Sequence, residues 1–227
     1  VAVDCARVLA ANPDAHLASS DISDYALDAL RASAVKRVVV VGRRGHVQAA
    51  FTVKELRELT KLDGAAFVVA PEALEAGMNV SSEAELKERV AKRKNKLLVA
   101  SAGRSPEAQE KVIELQFLRS PVEILPREDD PSRVGAVRLA VNTLEGPAGA
   151  QWAVDTGQRE DIACDLVLKS VGYKVEPLDG VAFDDEASTV STGGGEGRGR
   201  VLDMATRKPV PGLYSAGWAK RGPSGVV

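Results

Sequence analysis

The spacing of apolar residues predicts two helices at the start of the chain and a buried strand after them. Residues 1–10 (VAVDCARVLA) place apolar side chains on one side of a helix that ends at the Asn12-Pro13 breaker. Residues 21–33 combine a capping pattern with helically spaced apolar residues and predict a second helix. The run 35–41 (VKRVVVV) is apolar and β-branched, as in a parallel strand that is buried on both faces.

The rest of the chain continues to alternate between helices and strands. Two further helices are predicted at residues 51–59, with Thr52 near the cap, and at the charged, amphipathic residues 81–100. The predicted strands span residues 65–69, 114–119, 121–125, 134–141, 151–154, 165–172 and 212–217. The run 165–172 again predicts a strand buried on both faces, and the glycine-rich tract 191–199 predicts a loop. This order predicts an α/β fold with a Rossmann-like parallel sheet and a small antiparallel insertion.

The first helix has neither a capping residue nor an initiating methionine before it, so we expect the chain to begin inside a longer domain. A Rossmann unit starts with a strand and a glycine-rich turn, G-x-G-x-x-G/A, and the helix that follows points its N-terminus at a pyrophosphate. We interpret residues 1–11 as that helix without its turn. Val1 then lies at the truncated phosphate-binding turn and is a candidate cofactor-binding residue.

Composition narrows the class of protein without indicating a ligand. The 227 residues are 44% hydrophobic and 27% charged with a formal net charge of −2, which is typical of a globular domain and gives no reason to expect nucleic acid. No apolar run approaches the ~18 residues that cross a bilayer. Cys5 and Cys164 lie far apart and outside any CxxC motif, which argues against a disulfide framework. His16 and His46 are not spaced as metal ligands, and we predict no metal site.

A pair of arginines follows the first predicted strand, in the sequence Gly42-Arg43-Arg44-Gly45. In a dinucleotide-binding sheet, an acidic residue at this place accepts from the ribose 2′-hydroxyl of NAD, whereas arginine accommodates the 2′-phosphate of NADP. The two guanidiniums supply planar, permanently charged forks for phosphate oxygens, and the glycines allow a sharp turn. Solvated loop charges explain the pair equally well, so the residues alone leave both interpretations open.

Several motifs, in order along the chain, resemble the adrenodoxin reductase family, ferredoxin–NADP(+) reductases with a glutathione-reductase-like fold. They are residues 40–58 (VVGRRGHVQAAFTVKELRE), 117–121 (FLRSP), 166–173 (LVLKSVGY) and 211–227 (PGLYSAGWAKRGPSGVV), of which the last is highly specific. The opening residues are similar to the helix after the family's glycine-rich turn. The resemblance implies an NADP-binding domain at residues 1–175 and a C-terminal return into the FAD-binding domain at residues 176–227, without the N-terminal FAD-binding half.

The resemblance also implies contacts with NADP and FAD, residue by residue. Arg43 and Arg44 match the pair that binds the NADP 2′-phosphate. Glu55 matches a glutamate that contacts NADP, whereas its charge alone indicates only an exposed helix carboxylate. Trp218 matches a tryptophan packed at the flavin. The segment whose backbone approaches the FAD corresponds to Gly225, Val226 and Val227, with Gly225 near the nicotinamide as well.

The implied reaction passes hydride from NADPH to FAD and then single electrons to a [2Fe–2S] ferredoxin, so no catalytic acid, base or nucleophile is predicted. Arg57 matches an arginine at the family's ferredoxin-binding surface. Basic residues also crowd positions 87–96, among them Lys92, Arg93 and Lys94. A solvated helix face is the ordinary explanation for such a run. Since a basic face meets an acidic ferredoxin in this family, we favour docking.

Two alternative functions stay open. One is a non-catalytic nucleotide-binding module, and the other is the NADPH domain of another two-dinucleotide flavoprotein, such as a glutamate synthase small-subunit-like enzyme. A disulfide reductase would need a CxxC or CxxxxC pair, which the sequence lacks. The family implies a monomer, located in the mitochondrial matrix with peripheral inner-membrane association in a eukaryote, or in the cytoplasm of a bacterium. Without most of the flavin site, we expect the 227 residues alone to be inactive.

Overall fold

The computed structural model describes residues 1–103, 111–194 and 198–223. The helices are α1 (Ala2–Ala10), α2 (Pro13–His16), α3 (Asp24–Arg31), α4 (Val53–Thr60), α5 (Pro71–Ala76), α6 (Val80–Glu85), α7 (Arg89–Ser101) and α8 (Gly217–Arg221). The strands are β1 (Arg37–Val41), β2 (Ala65–Val69), β3 (Lys111–Gln116), β4 (Arg119–Pro126), β5 (Val134–Glu145), β6 (Trp152–Ala163), β7 (Phe183–Asp184), β8 (Thr189–Val190), β9 (Arg200–Leu202) and β10 (Pro209–Tyr214). The chain divides into two units, Val1–Leu168 and Lys169–Val227. Their predicted assignment to an NADP domain and an FAD domain stays a prediction.

The first unit contains a parallel sheet in the order β1-β3-β2. Ile113 of the central strand is fully buried and pairs with Val38 on one side and with Phe67 on the other. Helices α1, α4 and α7 pack against this sheet. Leu56 and Leu59, three residues apart on α4, point into the core because that spacing places them on one helix face. Parallel pairing brings the carboxyl ends of all three strands to one edge.

Strand β1 is half-buried, whereas the sequence predicted a strand buried on both faces. Its valines, 38–41, are all partly exposed, and Arg37 is exposed. In the described sheet, β1 lies at the edge and pairs only with β3. The β-branched composition therefore identified the strand but not its position in the sheet.

The second sheet of the first unit is antiparallel, in the order β4-β5-β6, and it confirms the predicted insertion. Strands β5 and β6 have 12 residues each, so they are longer than the predicted segments 134–141 and 151–154. Charged pairs cross the exposed face of this sheet, where Arg138 contacts Glu123 at 3.0 Å and Asp161 at 2.9 Å. The pattern of apolar residues missed the extension of β6 because residues 155–163 are mostly polar and include Glu160 and Asp161, which form ion pairs with neighbouring strands.

Two predicted elements differ in the structure. The helix predicted at residues 81–100 is divided into α6 and α7, with Glu88 in an extended conformation at the start of α7. The run 165–172 forms no strand among the described residues, and Leu166 and Val171 are 58% and 82% exposed. An extended segment needs a neighbouring strand to pair its backbone groups. Composition alone therefore gave a wrong prediction for this run.

The second unit has two small antiparallel pairs, β7 with β8 and β9 with β10, followed by helix α8. Val190 and Val201 are buried within it. Strand β10 begins and ends three residues before the strand predicted at 212–217. The mixed α/β architecture agrees with the prediction, and no helix among the described residues is long and apolar enough to cross a membrane.

Candidate functional site

The backbone of Gly42–Arg44 is fixed at the carboxyl end of β1, at the edge of the parallel sheet. The three carbonyl groups of this segment accept hydrogen bonds from Arg119 N at 3.0 Å, Asn142 Nδ2 at 2.9 Å and Leu118 N at 3.1 Å. These donors belong to β4, β5 and the turn after β3. The arginine pair is therefore held by both sheets of the first unit rather than carried on a free loop.

Leu118 supports this segment from a backbone conformation that branched residues rarely adopt. Its φ is +56° and its side chain is buried. The Leu118 N–H donates to Arg44 O, and its own carbonyl accepts from Asn142 N at 2.8 Å. Such strained residues persist only where the surroundings determine them, and they concentrate at functional sites.

Gly45 is required for close packing rather than for the sharp turn that the sequence predicted. In the described backbone, neither Gly42 nor Gly45 has a positive φ. A Cβ atom on Gly45 would meet Gln48 Oε1 at 2.8 Å, Leu144 Cδ1 at 3.0 Å and Gly77 O at 3.2 Å. The glycine thus allows the arginine loop to lie directly against its neighbours.

The two arginines differ in exposure. Arg43 is exposed and forms no ion pair with the described residues. Arg44 is half-buried, and its guanidinium donates from Nη1 to Gln151 O at 3.3 Å and from Nη2 to Gln48 O at 3.4 Å. Neither arginine is neutralised by a carboxylate within ion-pair distance in the described part of the chain. The positive charge of the pair is available to an anion.

Lys94 lies inside the fold, although its sequence context indicated an exposed docking face. It is 8% exposed, its ammonium donates to Ala49 O, and Nζ lies 5.8 Å from the centroid of the Phe51 ring. Burial lowers the pKa of Lys94, and the charge of Arg44 lowers it further while Glu85 opposes the shift. Lys94 thus fixes the loop after the arginine pair, and its ammonium does not face a partner.

Sequence reasoning also missed the side chains that surround Arg44. Gln48, Glu85 and Gln151 form a hydrogen-bonded cluster beneath the guanidinium. Gln48 lies in a loop, Glu85 lies in helix α6 and Gln151 directly precedes β6, and no motif connects them. Their only signal in the sequence is polarity, which is shared by most surface residues.

A second basic region lies between α4 and α7. A groove of about 520 Å³ is lined there by Val53, Lys54, Arg57, Glu58, Lys61 and Arg93. The structure thus brings together Arg57, which was indicated by family resemblance, and Arg93, which was indicated by the charge pattern. Lys92, on the same helix as Arg93, is also exposed but does not line the groove.

Comparisons with known proteins cover the whole chain. It is 43% identical over 236 residues to mitochondrial NADPH:adrenodoxin oxidoreductase of Bos taurus, and 40% identical over 228 residues to NADPH-ferredoxin reductase FprA of Mycobacterium tuberculosis. The structure of M. tuberculosis FprA in complex with NADPH matches 99% of the chain with a TM-score of 0.84 and 39% identity. No family model matches.

The chain is a homologue of the adrenodoxin reductases. It spans 45% of the length of the bovine relative and 46% of the mycobacterial one. The similarity of structure to FprA extends through both the parallel and the antiparallel sheet, because nearly all of the chain is superimposed. The Rossmann-like α/β architecture predicted from the sequence is therefore confirmed.

The remaining cofactor residues suggested by the adrenodoxin reductase motifs have clear local roles. Glu55 forms a capping box with Thr52, in which each side chain bonds the backbone N–H of the other at the start of α4. Val1 is the N-cap of α1 and is 52% exposed. The capping box explains Glu55 within the fold, and contact of Val1 and Glu55 with NADP stays a prediction.

Trp218 lies in the second unit, at the start of helix α8. Its ring is 5.7 Å from that of Tyr173, and its buried Nε1 has no hydrogen-bond acceptor among the described residues. A buried indole N–H without an acceptor fits a site that receives a polar ligand. The predicted flavin-contacting residues 225–227 lie outside the described residues. No group of three or more metal-ligating side chains occurs in the described part of the chain.

Proposed function

We propose that this chain supplies the NADP-binding part of an FAD-dependent NADPH:ferredoxin oxidoreductase. The observation that carries the proposal is the arginine pair at the carboxyl end of β1, fixed by three hydrogen bonds to backbone carbonyls and not neutralised by a carboxylate within ion-pair distance among the described residues. The names of the relatives, which act with NADPH and with adrenodoxin or ferredoxin, support it.

The residues at the end of β1 fit the 2′-phosphate of NADP. Arg43 is exposed to solvent, whereas Arg44 is oriented by two carbonyl groups, so one guanidinium is solvent-exposed and the other is preorganised. Lys94 adds a third positive charge nearby, and the carboxylate of Glu85 interacts electrostatically with Arg44. The net positive field selects a cofactor with an extra phosphate.

This chain has fewer candidate residues for binding FAD than for binding NADP. The unpaired indole N–H of Trp218 fits a flavin acceptor, and Tyr173 supports the ring from one side. Bound FAD supplies the conversion of a two-electron hydride transfer into single-electron transfers. The protein residues bind and orient the two cofactors, and no side chain in the site needs to exchange a proton.

The groove between α4 and α7 is proposed as the docking site for the [2Fe–2S] ferredoxin. Four of its lining side chains are cationic, and its only carboxylate, Glu58, already lies 3.8 Å from Arg7 Nε. A basic surface of this kind accelerates encounter with an acidic partner. Arg57 and Arg93 line the groove, and Lys92 extends the basic surface along α7. Lys94 is buried and is left out.

The proposed cellular location depends on whether the source organism is a eukaryote or a bacterium. Relatives include mitochondrial enzymes of animals and a bacterial reductase. We propose the mitochondrial matrix, with peripheral inner-membrane association, if the source is eukaryotic, and the cytoplasm if it is bacterial. A monomeric enzyme fits this scheme.

Reduction of cytochrome c by NADPH, with and without a [2Fe–2S] ferredoxin, tests the proposed function on the intact enzyme, of which this chain is the proposed NADP-binding part. The proposal expects the rate to depend on ferredoxin and on bound FAD. A rate that is independent of both would favour a nucleotide-binding module or another type of flavoprotein.

A further inference from the structure

Glu85 lies beneath the two groups that orient Arg44. The Arg44 guanidinium is held by the backbone carbonyls of Gln48 and Gln151. The side-chain amides of the same two residues donate to Glu85, from Gln48 Nε2 to Oε2 at 2.9 Å and from Gln151 Nε2 to Oε1 at 2.9 Å. One carboxylate thus fixes both residues that hold the guanidinium.

Further hydrogen bonds fix the carboxylate itself. Gly149 N donates to Glu85 Oε1 at 2.9 Å. Burial raises the pKa of Glu85, but the hydrogen bonds from Gln151, Gly149 and Gln48 and the charge of Arg44 outweigh this effect and lower it below its ordinary value. Glu85 is therefore ionised at neutral pH, and only the ionised form accepts from all three donors without supplying a proton of its own.

Ser82 bonds both glutamines of the cluster. It is fully buried, and its hydroxyl accepts from Gln48 Nε2 at 3.2 Å and from Gln151 Nε2 at 3.1 Å while it donates to Gly77 O at 3.0 Å. Each amide therefore bridges the serine and the carboxylate. A network in which each member is bonded to several others restricts every rotamer in it.

Glu85 and Arg44 interact without forming an ion pair. Among the described residues, no oxygen of Glu85 lies within ion-pair distance of the Arg44 guanidinium, although the charges are close enough to influence each other. A direct pair would occupy the donor fork that a phosphate needs. The two glutamines instead transmit the position of the carboxylate, and the guanidinium keeps the N–H groups that the two backbone carbonyls do not bind.

We propose that Glu85 is a positioning residue for the 2′-phosphate site and that it determines the selectivity of this site through Arg44. The inference rests on the proposed function of Arg44. It assigns to a carboxylate a favourable effect on phosphate binding, whereas the charge of a carboxylate acting alone repels a phosphate. The two effects have opposite signs, so an experiment can separate them.

The test uses Glu85→Gln, with adenosine 2′,5′-bisphosphate and adenosine 5′-monophosphate as probes in calorimetric titrations of the purified protein. Glutamine keeps the shape of the side chain, but its amide group cannot accept from both Gln48 and Gln151. Positioning predicts that affinity for the bisphosphate falls roughly fivefold to thirtyfold, while affinity for the monophosphate stays within about twofold. Unchanged or tighter binding of the bisphosphate would overturn the proposal.

Two further variants keep the result unambiguous. Glu83→Gln removes an exposed carboxylate from the same helix and controls for charge; it should leave both affinities unchanged. Glu85→Asp keeps the charge but is one methylene too short to reach both amides, so positioning predicts loss of selectivity, whereas a pure charge effect predicts none. This variant also serves if Glu85→Gln fails to fold, and retention of full selectivity would refute the role.

Arg44→Ala separates this inference from the proposed function. If Arg44→Ala abolishes the preference for the bisphosphate but the Glu85 variants retain it, the positioning role fails and the phosphate site stands. If Arg44→Ala leaves the preference intact, the proposed phosphate site itself fails.

Discussion

Two basic regions of the first unit differ in how their cations are held. At the end of β1, Arg44 is oriented by two carbonyls and Lys94 is buried against a third. In the groove between α4 and α7, Arg57 and Arg93 are exposed side chains without a fixed partner in the described residues. Preorganised, partly desolvated cations recognise a particular anion, whereas solvated cations attract any acidic surface and are screened by salt. Positive charge thus gives selectivity for an anion at the end of β1 and attracts an acidic protein partner at the groove between α4 and α7.

Replacement of both arginines should have the largest effect. Charge-assisted hydrogen bonds contribute about 1.5–3 kcal/mol each, so Arg43→Ala with Arg44→Ala should weaken NADPH binding roughly a hundredfold or more. Binding of NADH, which lacks the 2′-phosphate, should change by only a few fold. The dissociation constants of both cofactors give the answer, and equal losses for the two would show that the arginines do not recognise the phosphate.

Leu56→Ala tests the hydrophobic core of the first unit, on which both basic regions depend. Leu56 is 1% exposed and anchors α4, whose outer face carries Arg57. Loss of a buried leucine costs about 2–5 kcal/mol of the free energy of unfolding. Chemical denaturation measures this loss, and Arg57→Ala is the matched control that should cost much less because its side chain is exposed.

Lys94→Met should weaken phosphate binding at the end of β1 and leave ferredoxin binding at the groove between α4 and α7 unchanged. Without its donor, the partly buried carbonyl of Ala49 loses this hydrogen bond, which costs up to about 1–3 kcal/mol of stability. In the intact enzyme we expect weaker binding of NADPH and an unchanged KM for ferredoxin. A raised ferredoxin KM with full affinity for NADPH would place Lys94 on the docking surface after all.

Substitutions in the groove should show the opposite pattern. In the intact enzyme, Arg57→Ala with Arg93→Ala should raise the KM for ferredoxin roughly tenfold at low ionic strength, and the difference from the wild type should shrink as salt is added. NADPH affinity measured on the same preparations is the control. A salt-independent effect would argue against electrostatic encounter at this groove.

The smallest predicted effect is a pH dependence from His46, beside the arginine loop. Burial lowers the pKa of His46 below the ordinary 6.5, and the charge of Lys94 adds to this shift while the neighbouring Asn95 side chain opposes it. Because the folded pKa is lower than the unfolded one, stability is full above pH 6.5 and falls as the pH drops toward the folded value, by up to about 1.4 kcal/mol per pH unit. Chemical denaturation at pH 7.5 and pH 5.5 measures this loss in the free energy of unfolding. The difference between the two pH values should be smaller in His46→Gln. An equal difference in this variant would exclude His46 as the cause.

The parts of the fold that depend on local pattern were predictable from the sequence. Strand β2 matches the predicted residues 65–69, and Thr52 begins α4 as its capping position indicated. The run 165–172 was not predictable, since a strand also needs a neighbour that composition does not specify. Lys94 shows the same limit, because a buried lysine and its exposed neighbours look alike in a basic run.

The candidate site was predictable only where a motif carries it. Arg43 and Arg44 stand next to each other in a short signature after a strand, so sequence reasoning found them. Glu85 is separated from Gln48 by 37 residues and from Gln151 by 66, and the fold alone brings them together. Residues that position a binding group through the fold leave no local pattern to detect.

The most direct measurement compares the wild-type protein's affinities for adenosine 2′,5′-bisphosphate and adenosine 5′-monophosphate. The two ligands share the adenosine and the 5′-phosphate and differ by the one phosphate assigned to Arg43 and Arg44. We predict at least roughly tenfold tighter binding of the bisphosphate at moderate ionic strength. Equal affinities would contradict a 2′-phosphate site at the end of β1.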